Sequence, residues 1–116
     1  MSIVDRVFGW LMVLGGIGHG LGSYKAYSKD PMTLLWALSA SFALFLLAAM
    51  NLLRAGGQMN PRLAWICSAG CVVQIGFAVR FGVLIGNVFD FRPLLNAVIA
   101  LVLLLFSVRT ALQARV

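Results

Sequence analysis

The sequence predicts an all-α, polytopic integral membrane protein folded as a four-helix transmembrane bundle. Of its 116 residues, 62% are hydrophobic and only 10% are charged, whereas a soluble domain is about half apolar and about a quarter charged. Four apolar runs reach or approach the roughly 20 residues that cross a bilayer. The nine lysines and arginines are scattered between these runs, which excludes the clustered basic face of a nucleic-acid-binding protein and suits membrane topology.

The four runs define a single domain over residues 1–116. Their connections are short, so the helices are expected to run up and down as antiparallel neighbours. The expected spans are residues 7–24, 32–53, 63–85 and 94–112.

Capping signals mark the ends of these helices. Asp30-Pro31 and Asn60-Pro61 each place a capping side chain before a proline at the first helical position. Arg92-Pro93 supplies the proline without a good capping residue, and the segment Ser2–Asp5 has the pattern of a capping box. Gly56-Gly57 is expected to end the second helix.

The basic residues predict the orientation. Because lysine and arginine are enriched in cytoplasmic segments, both termini are expected in the cytoplasm, and the chain in a bacterial cytoplasmic membrane. The bias is small, so dual topology stays open. Asp5 interrupts the N-terminal apolar stretch, so no cleavable signal peptide is expected. The side of the termini carries Arg6, Arg54, Arg62, Arg109 and Arg115, and the other side carries Lys25, Lys29, Arg80 and Arg92.

The chain also aligns with itself at a gapless offset of 55 residues. Tryptophan and arginine are expected at the edges of any transmembrane hairpin, so some of the matches would arise without a duplication. Two interpretations are therefore open: a duplicated helix hairpin, or two unrelated hairpins with the same residue types at their edges. Duplication predicts two parallel helix-hairpin repeats, with His19 and Gln74 facing each other at equal depth. The matched pairs include Trp10 with Trp65, Gly15 with Gly70, His19 with Gln74, Lys25 with Arg80, Ser41 with Asn96 and Arg54 with Arg109.

Polar residues concentrate in the membrane half away from the termini. An ionisable residue within a span is a candidate functional residue, and His19 is the only histidine. Three roles are open for this side chain: a buried hydrogen bond, a contact with a ligand or proton, and ligation of a metal or haem. Arg80 either snorkels or binds an anion. The other half is almost purely apolar apart from Asn51 and Ser107, so we expect an outward-facing cavity. Its ligand-binding residues are His19, Trp36, Ser39, Gln74, Arg80 and Asn96.

Glycines surround His19 on the first helix. Gly15, Gly18 and Gly22 share its helical face, and small residues at such spacing let helix backbones approach closely. A tight helix contact is one interpretation, and space for a ligand beside His19 is the other. The expected helix-packing residues are Gly15, Gly16, Gly18, Gly20, Gly22 and Gly70.

The third helix carries a small, slightly polar face that is expected to point inward. Its members are Cys67, Gly70, Cys71, Gln74 and Ala78. The two cysteines do not have the redox Cys-x-x-Cys spacing and are interpreted as buried small apolar residues. With one histidine and no acid deep in a span, no nucleophile, base and orienting group can be assembled. We therefore expect no catalytic residues, no metal, no cofactor and no enzyme activity.

Two short runs resemble a known family. Gly15-Gly16-Ile17-Gly18-His19 in the first span and Arg62-Leu63-Ala64-Trp65 at the start of the third are similar to small DoxX-like membrane proteins. The resemblance covers about a third of the chain. It implies a four-helix membrane fold, and some members of that group are linked to membrane quinone oxidation. The acidic residue and the Asn-Ile-Tyr-type ending associated with the group have no counterpart here.

Two functions follow as expectations. The first is binding or transport of a small neutral or anionic ligand, or a lipid, through the outward-facing cavity. The alternative is a non-catalytic accessory or assembly subunit of a larger membrane complex. The expected partners are the lipid bilayer and either a second copy of the chain or a larger membrane protein, and no nucleic acid. Bound density beside His19 favours the first function, and a stoichiometric membrane-protein partner favours the second.

Overall fold

The computed structural model describes residues 3–114 and is all-helical over that range. Ser2 of the expected capping box and Arg115 lie outside the described residues. The described part measures 51 × 24 × 21 Å, with short connections between successive helices. The four helices are α1 (Ile3–Tyr27), α2 (Pro31–Gly56), α3 (Pro61–Leu84) and α4 (Phe91–Gln113).

Two helix starts are confirmed, and one was predicted too late. The Asp30 carboxylate accepts from the Thr33 backbone N–H at 3.3 Å, and the Asn60 side chain caps α3 in the same way. The fourth helix starts at Phe91 rather than at residue 94, because the Asp90 carboxylate accepts from the Arg92 N–H at 3.0 Å. A proline is tolerated in the first turn of α4, where backbone N–H groups have no partner within the helix.

Three of the four helices, α2, α3 and α4, are long and apolar enough to cross a membrane. Helix α1 has 25 residues but is not among them. Its glycines and His19 lower its hydropathy although its length suffices. Many large apolar side chains on all four helices are exposed, including Leu84 and Leu21 at 69% and Phe77 at 68%. Such a surface is unfavourable in water, so the helices indicate a membrane protein.

The helices pack as two hairpins. Helix α1 packs mainly on α2, and α3 mainly on α4. Helix α4 also packs on α1, and α2 on α3, whereas no Cα atoms of α1 and α3 approach within 8 Å. Helices α1 and α3 are therefore diagonal to each other. A buried apolar cluster lies between the helices and consists of Met12, Leu44, Leu47, Ala48, Cys71, Ile99, Ala100 and Leu103.

The buried face of α1 differs from the predicted one. The prediction placed Gly15, Gly18 and Gly22 inward, but Gly18 and Gly22 are exposed. The buried stripe runs instead one residue later, through Gly16 and Ser23. One residue corresponds to a rotation of about 100° around the helix axis. The buried residues of α1 are Asp5, Gly9, Met12, Gly16 and Ser23.

Candidate functional site

A buried polar cluster lies at the end of the molecule where α1 and α3 begin and α2 and α4 end, which we call the terminal end. All four helices contribute a side chain to it. No member is more than 5% exposed. This terminal cluster consists of Asp5, Asn51, Arg54, Cys71, Ser107 and Thr110.

An ion pair between α1 and α2 forms its centre. Arg54 donates through Nη2 to Asp5 Oδ1 at 2.7 Å and through Nη1 to Asp5 Oδ2 at 2.8 Å. This is the two-pronged geometry in which a guanidinium binds a carboxylate most strongly. The two side chains are 1% and 2% exposed. Each charge therefore depends on the other, since an unpaired charge in such a place is costly.

Asn51 connects this ion pair to the other helices. Its Oδ1 accepts from Arg54 Nη2 at 3.1 Å and from the Ser107 hydroxyl at 3.0 Å. Its Nδ2 donates to the Leu47 carbonyl at 3.0 Å and faces the Cys71 sulfur at 3.7 Å. From α4, the Thr110 hydroxyl accepts from Arg54 Nη1 at 3.3 Å. The cluster thus links the two hairpins through hydrogen bonds.

One donor in the cluster has no acceptor. The Arg54 Nε is buried and makes no hydrogen bond within the described chain. Cys67 lies one helical turn before Cys71 on α3. Both thiols are free and fully buried. The expectation that the cysteines are buried is confirmed, but their surroundings are polar as well as apolar.

Sequence reasoning missed this cluster because Asp5 and Arg54 were interpreted as edge markers of capping and topology. The terminal half was expected to be almost purely apolar apart from Asn51 and Ser107, and its interior also holds Asp5, Arg54 and Thr110. A signal was present in the spacing: Asn51 and Arg54 are three residues apart on α2, as are Ser107 and Thr110 on α4. Residues at that spacing share a helical face, and both pairs lie near the ends of their helices. The acid and the base are 49 residues apart in the sequence, so no local motif joins them.

The predicted ligand-binding residues come from all four helices. Their burial divides them into two groups. His19, Trp36, Ser39 and Arg80 are exposed, and Gln74 and Asn96 are half-buried. Two of the six make hydrogen bonds to their own helices: the Ser39 hydroxyl donates to the Leu35 carbonyl at 2.9 Å, and Asn96 Nδ2 donates to the Arg92 carbonyl at 3.0 Å. Their role in ligand binding stays a prediction.

The predicted pairing of His19 with Gln74 is wrong. These residues lie on α1 and α3, the two helices that are diagonal to each other, and no hydrogen bond joins them. His19 is exposed and makes no hydrogen bond or ion pair with any residue in the range 3–114. The alignment predicts equal depth for the two residues, but depth leaves the rotation of each helix undetermined.

The predicted packing glycines also divide into two groups. A Cβ atom at Gly16 would lie 2.8 Å from the Phe45 ring, and one at Gly70 would lie 2.6 Å from Leu47 Cδ1. Gly15 and Gly20 have room for ordinary contacts, with Asn96 and Ser41 respectively. Gly18 and Gly22 face open space. We call Gly18, His19 and Gly22 the open face of α1.

The opposite end, where α1 joins α2 and α3 joins α4, carries local polar contacts. The Thr33 hydroxyl and backbone N–H both bind the Asp30 carboxylate and hold its pKa below the usual value. Hydrogen bonds from Arg92 lower the pKa of Asp90 in the same way. Arg92 Nε lies 3.0 Å from that carboxylate, and its guanidinium lies 5.8 Å from the Phe81 ring centre. These contacts cap α2 and α4.

A shallow, open depression lies at the terminal end, away from the predicted ligand-binding residues. It has a volume of about 410 Å³ and is lined by residues 58–62 of the α2–α3 connection. Within residues 3–114, no group of three or more histidine, cysteine, aspartate or glutamate side chains is placed to hold a metal ion. No protein-family model, curated protein or solved structure matches this chain, so the similarity to DoxX-like membrane proteins stays a prediction.

Proposed function

We propose that this chain is an integral membrane protein with four transmembrane helices that acts by associating with another membrane protein, as a non-catalytic accessory or assembly subunit. The observation that carries the proposal is the open face of α1. There, an ionisable side chain without a partner in the described chain lies beside two glycines with free space.

Four spans require α1 to lie in the bilayer with the others, although it is the least apolar helix. The terminal cluster supports this placement, because Asp5 of α1 and Arg54 of α2 neutralise each other inside the protein. Short connections and the packing of α1 against both α2 and α4 support it further. The proposal keeps both termini in the cytoplasm of a bacterial cell.

The open face then becomes the expected contact with a partner. In hydrocarbon an exposed histidine finds no hydrogen-bonding partner among the lipid tails, and ionisable residues in spans usually face protein or water. Glycines four residues apart, such as Gly18 and Gly22, let a second helix approach closely. Together these features favour a helix from another protein, or from a second copy, over lipid.

Photo-crosslinking tests the association. A photoreactive residue replaces Leu21, which is 69% exposed on α1 close to Gly18 and Gly22, or Phe77, which is 68% exposed on α3 and serves as control. The proposal predicts a protein adduct of defined mass from position 21, none from position 77, and loss of the adduct in Gly18→Leu. Lipid adducts alone at both positions, or an adduct that Gly18→Leu leaves intact, would contradict it.

Cysteine labelling tests the topology. Single cysteines at Ser28 and Gln58, in the two connections on opposite sides, are treated with a membrane-impermeant reagent in intact cells. The proposal predicts labelling at position 28 and none at position 58. The reverse pattern contradicts the orientation, and equal labelling of both indicates dual topology.

Ligand binding or transport is the second proposal, and a narrower observation favours it. Gln74 and Asn96 are half-buried polar side chains in the half away from the termini, and Asn96 Oδ1 lies 3.6 Å from the place where a Gly15 side chain would begin. A small neutral or anionic molecule, or a lipid, would bind beside Asn96. Asn96→Leu should then abolish ligand binding without changing the crosslink from position 21.

A further inference from the structure

We propose that the terminal end binds anionic phospholipids at two sites, each formed by an exposed arginine and an exposed tryptophan. The first pair is Arg6 and Trp10 on α1, and the second is Arg62 and Trp65 on α3. The inference goes beyond the proposed association with another protein. It rests on the placement of the four helices in a bilayer, with the terminal end at one membrane surface.

In each pair the arginine lies near the start of its helix and the tryptophan lies about one turn deeper. Arg6 and Trp10 are four residues apart, and Arg62 and Trp65 are three residues apart, so the members of each pair share one helical face. Tryptophan is enriched at the level of the lipid headgroups, where its ring meets apolar chains and its N–H meets polar groups. An arginine one turn closer to water is then level with the lipid phosphate, which a guanidinium binds through two parallel N–H donors.

The charge at this end favours an anionic partner. Of the three acidic residues in the chain, only Asp5 lies at the terminal end, and it is buried against Arg54. The side chains of Arg6 and Arg62 make no ion pair or hydrogen bond with any described residue, and neither does that of Arg109, a third exposed arginine at this end. The surface there presents cations without an acidic side chain beside them, and anionic lipids attract basic residues at a membrane surface.

Tryptophan quenching by brominated lipids tests each site separately in the purified full-length protein. The chain has three tryptophans, so Trp36→Phe combined with Trp65→Phe leaves Trp10 as the reporter for α1, and Trp36→Phe combined with Trp10→Phe leaves Trp65 as the reporter for α3. Each variant is reconstituted into phosphatidylcholine vesicles that contain the same fraction of brominated phosphatidylglycerol or of brominated phosphatidylcholine. The proposal predicts stronger quenching by the anionic lipid for both reporters.

Removal of one arginine should weaken this preference at its own site. Arg6→Gln is expected to lower the preference for phosphatidylglycerol about fivefold at Trp10, and Arg62→Gln should do the same at Trp65. A fivefold change corresponds to the roughly 1 kcal/mol that a basic residue contributes near an anionic membrane surface. Lys29→Gln is the matched control, because Lys29 is exposed at the opposite end and makes no ion pair with any described residue, and it should leave both values unchanged.

Equal quenching by the two brominated lipids, or an unchanged preference in both arginine variants, would overturn the proposal. A loss in Lys29→Gln as large as that in the arginine variants would overturn it too, because the net charge of the protein and not the two sites would then set the preference. Soluble glycerol phosphate should leave the preference intact. If it abolishes the preference, the arginines bind free phosphate esters and the assignment to lipid is wrong.

Discussion

At the terminal end, polar side chains point into the protein and bind one another, whereas at the opposite end the polar side chains within the helices lie mostly on the surface. Asp5 and Arg54 are at most 2% exposed and share two hydrogen bonds. His19 and Arg80 are exposed, and Ser39 is exposed and hydrogen-bonded to its own helix. The difference shows that the polarity and depth of a residue do not by themselves identify an interior site.

Loss of Asp5 is expected to have the largest effect on stability. Asp5→Ala leaves the buried Arg54 without its counter-charge, and breaking a buried pair in this way costs about 3–5 kcal/mol. Arg6→Ala changes the neighbouring exposed residue and should have little effect. Thermal unfolding in the same detergent measures both. If the two variants unfold at the same temperature, the terminal end is not held by this ion pair.

Close packing, rather than polar contacts, is expected to hold the opposite end. A Cβ atom at Gly82 would lie 2.8 Å from the Val88 Cα, and backbone cannot move aside as a side chain can. Gly82→Ala should therefore lower the free energy of unfolding by about 1–3 kcal/mol, as overpacking does. Gly76→Ala on the same helix meets nothing within 4 Å and should not lower it. Equal loss in both variants would show that the backbone approach at Gly82 does not limit stability.

Substitution of the predicted site residues should scarcely change stability. His19 makes no contact by hydrogen bond in the described range, so His19→Ala should alter the free energy of unfolding by less than about 0.5 kcal/mol. Gln74→Ala should change the free energy of unfolding by a similarly small amount. Thermal unfolding checks both, and a loss of several kilocalories in His19→Ala would show that this side chain is buried against protein after all.

The smallest effect concerns the cap of α2. Hydrogen bonds from Thr33 lower the pKa of Asp30 in the folded protein below its ordinary value of 3.8. At pH values above 3.8 the cap therefore contributes its full stability, and this contribution is lost as the pH falls through the lower pKa of the folded protein. Asp30→Asn keeps a capping side chain but cannot titrate. As the pH falls from above the ordinary pKa to below the folded one, the wild type should lose slightly more stability than Asp30→Asn. Identical pH profiles would contradict this.

The helices were predictable from local chemistry, and the site was not. Caps at Asp30 and Asn60 act within three residues of sequence, so they are visible in the chain itself. The apolar runs of α2, α3 and α4 are equally local. The inward face of α1 depends instead on how four helices rotate against one another, and an error of one residue exchanged Gly15 for Gly16.

The terminal cluster illustrates the same limit at long range. Asp5 and Arg54 are typical of helix edges when each is considered alone, and their pairing arises only when α1 packs on α2. On α3, the expected small face was a better guide, because Cys67, Cys71 and Ala78 are all buried. A predicted inward face that includes several small residues stays largely correct when the helix rotation is slightly wrong. The predicted position of a single histidine does not.

A double-mutant cycle on the ion pair tests most directly whether Asp5 and Arg54 stabilise the terminal end as a pair. The single variants Asp5→Leu and Arg54→Met each leave one buried charge, whereas the double variant removes both charges and keeps apolar volume, an exchange that is often neutral or stabilising. We predict that the double variant is more stable than either single variant, as measured by the free energy of unfolding in one detergent. A double variant that loses the sum of the two single effects would contradict this pairing.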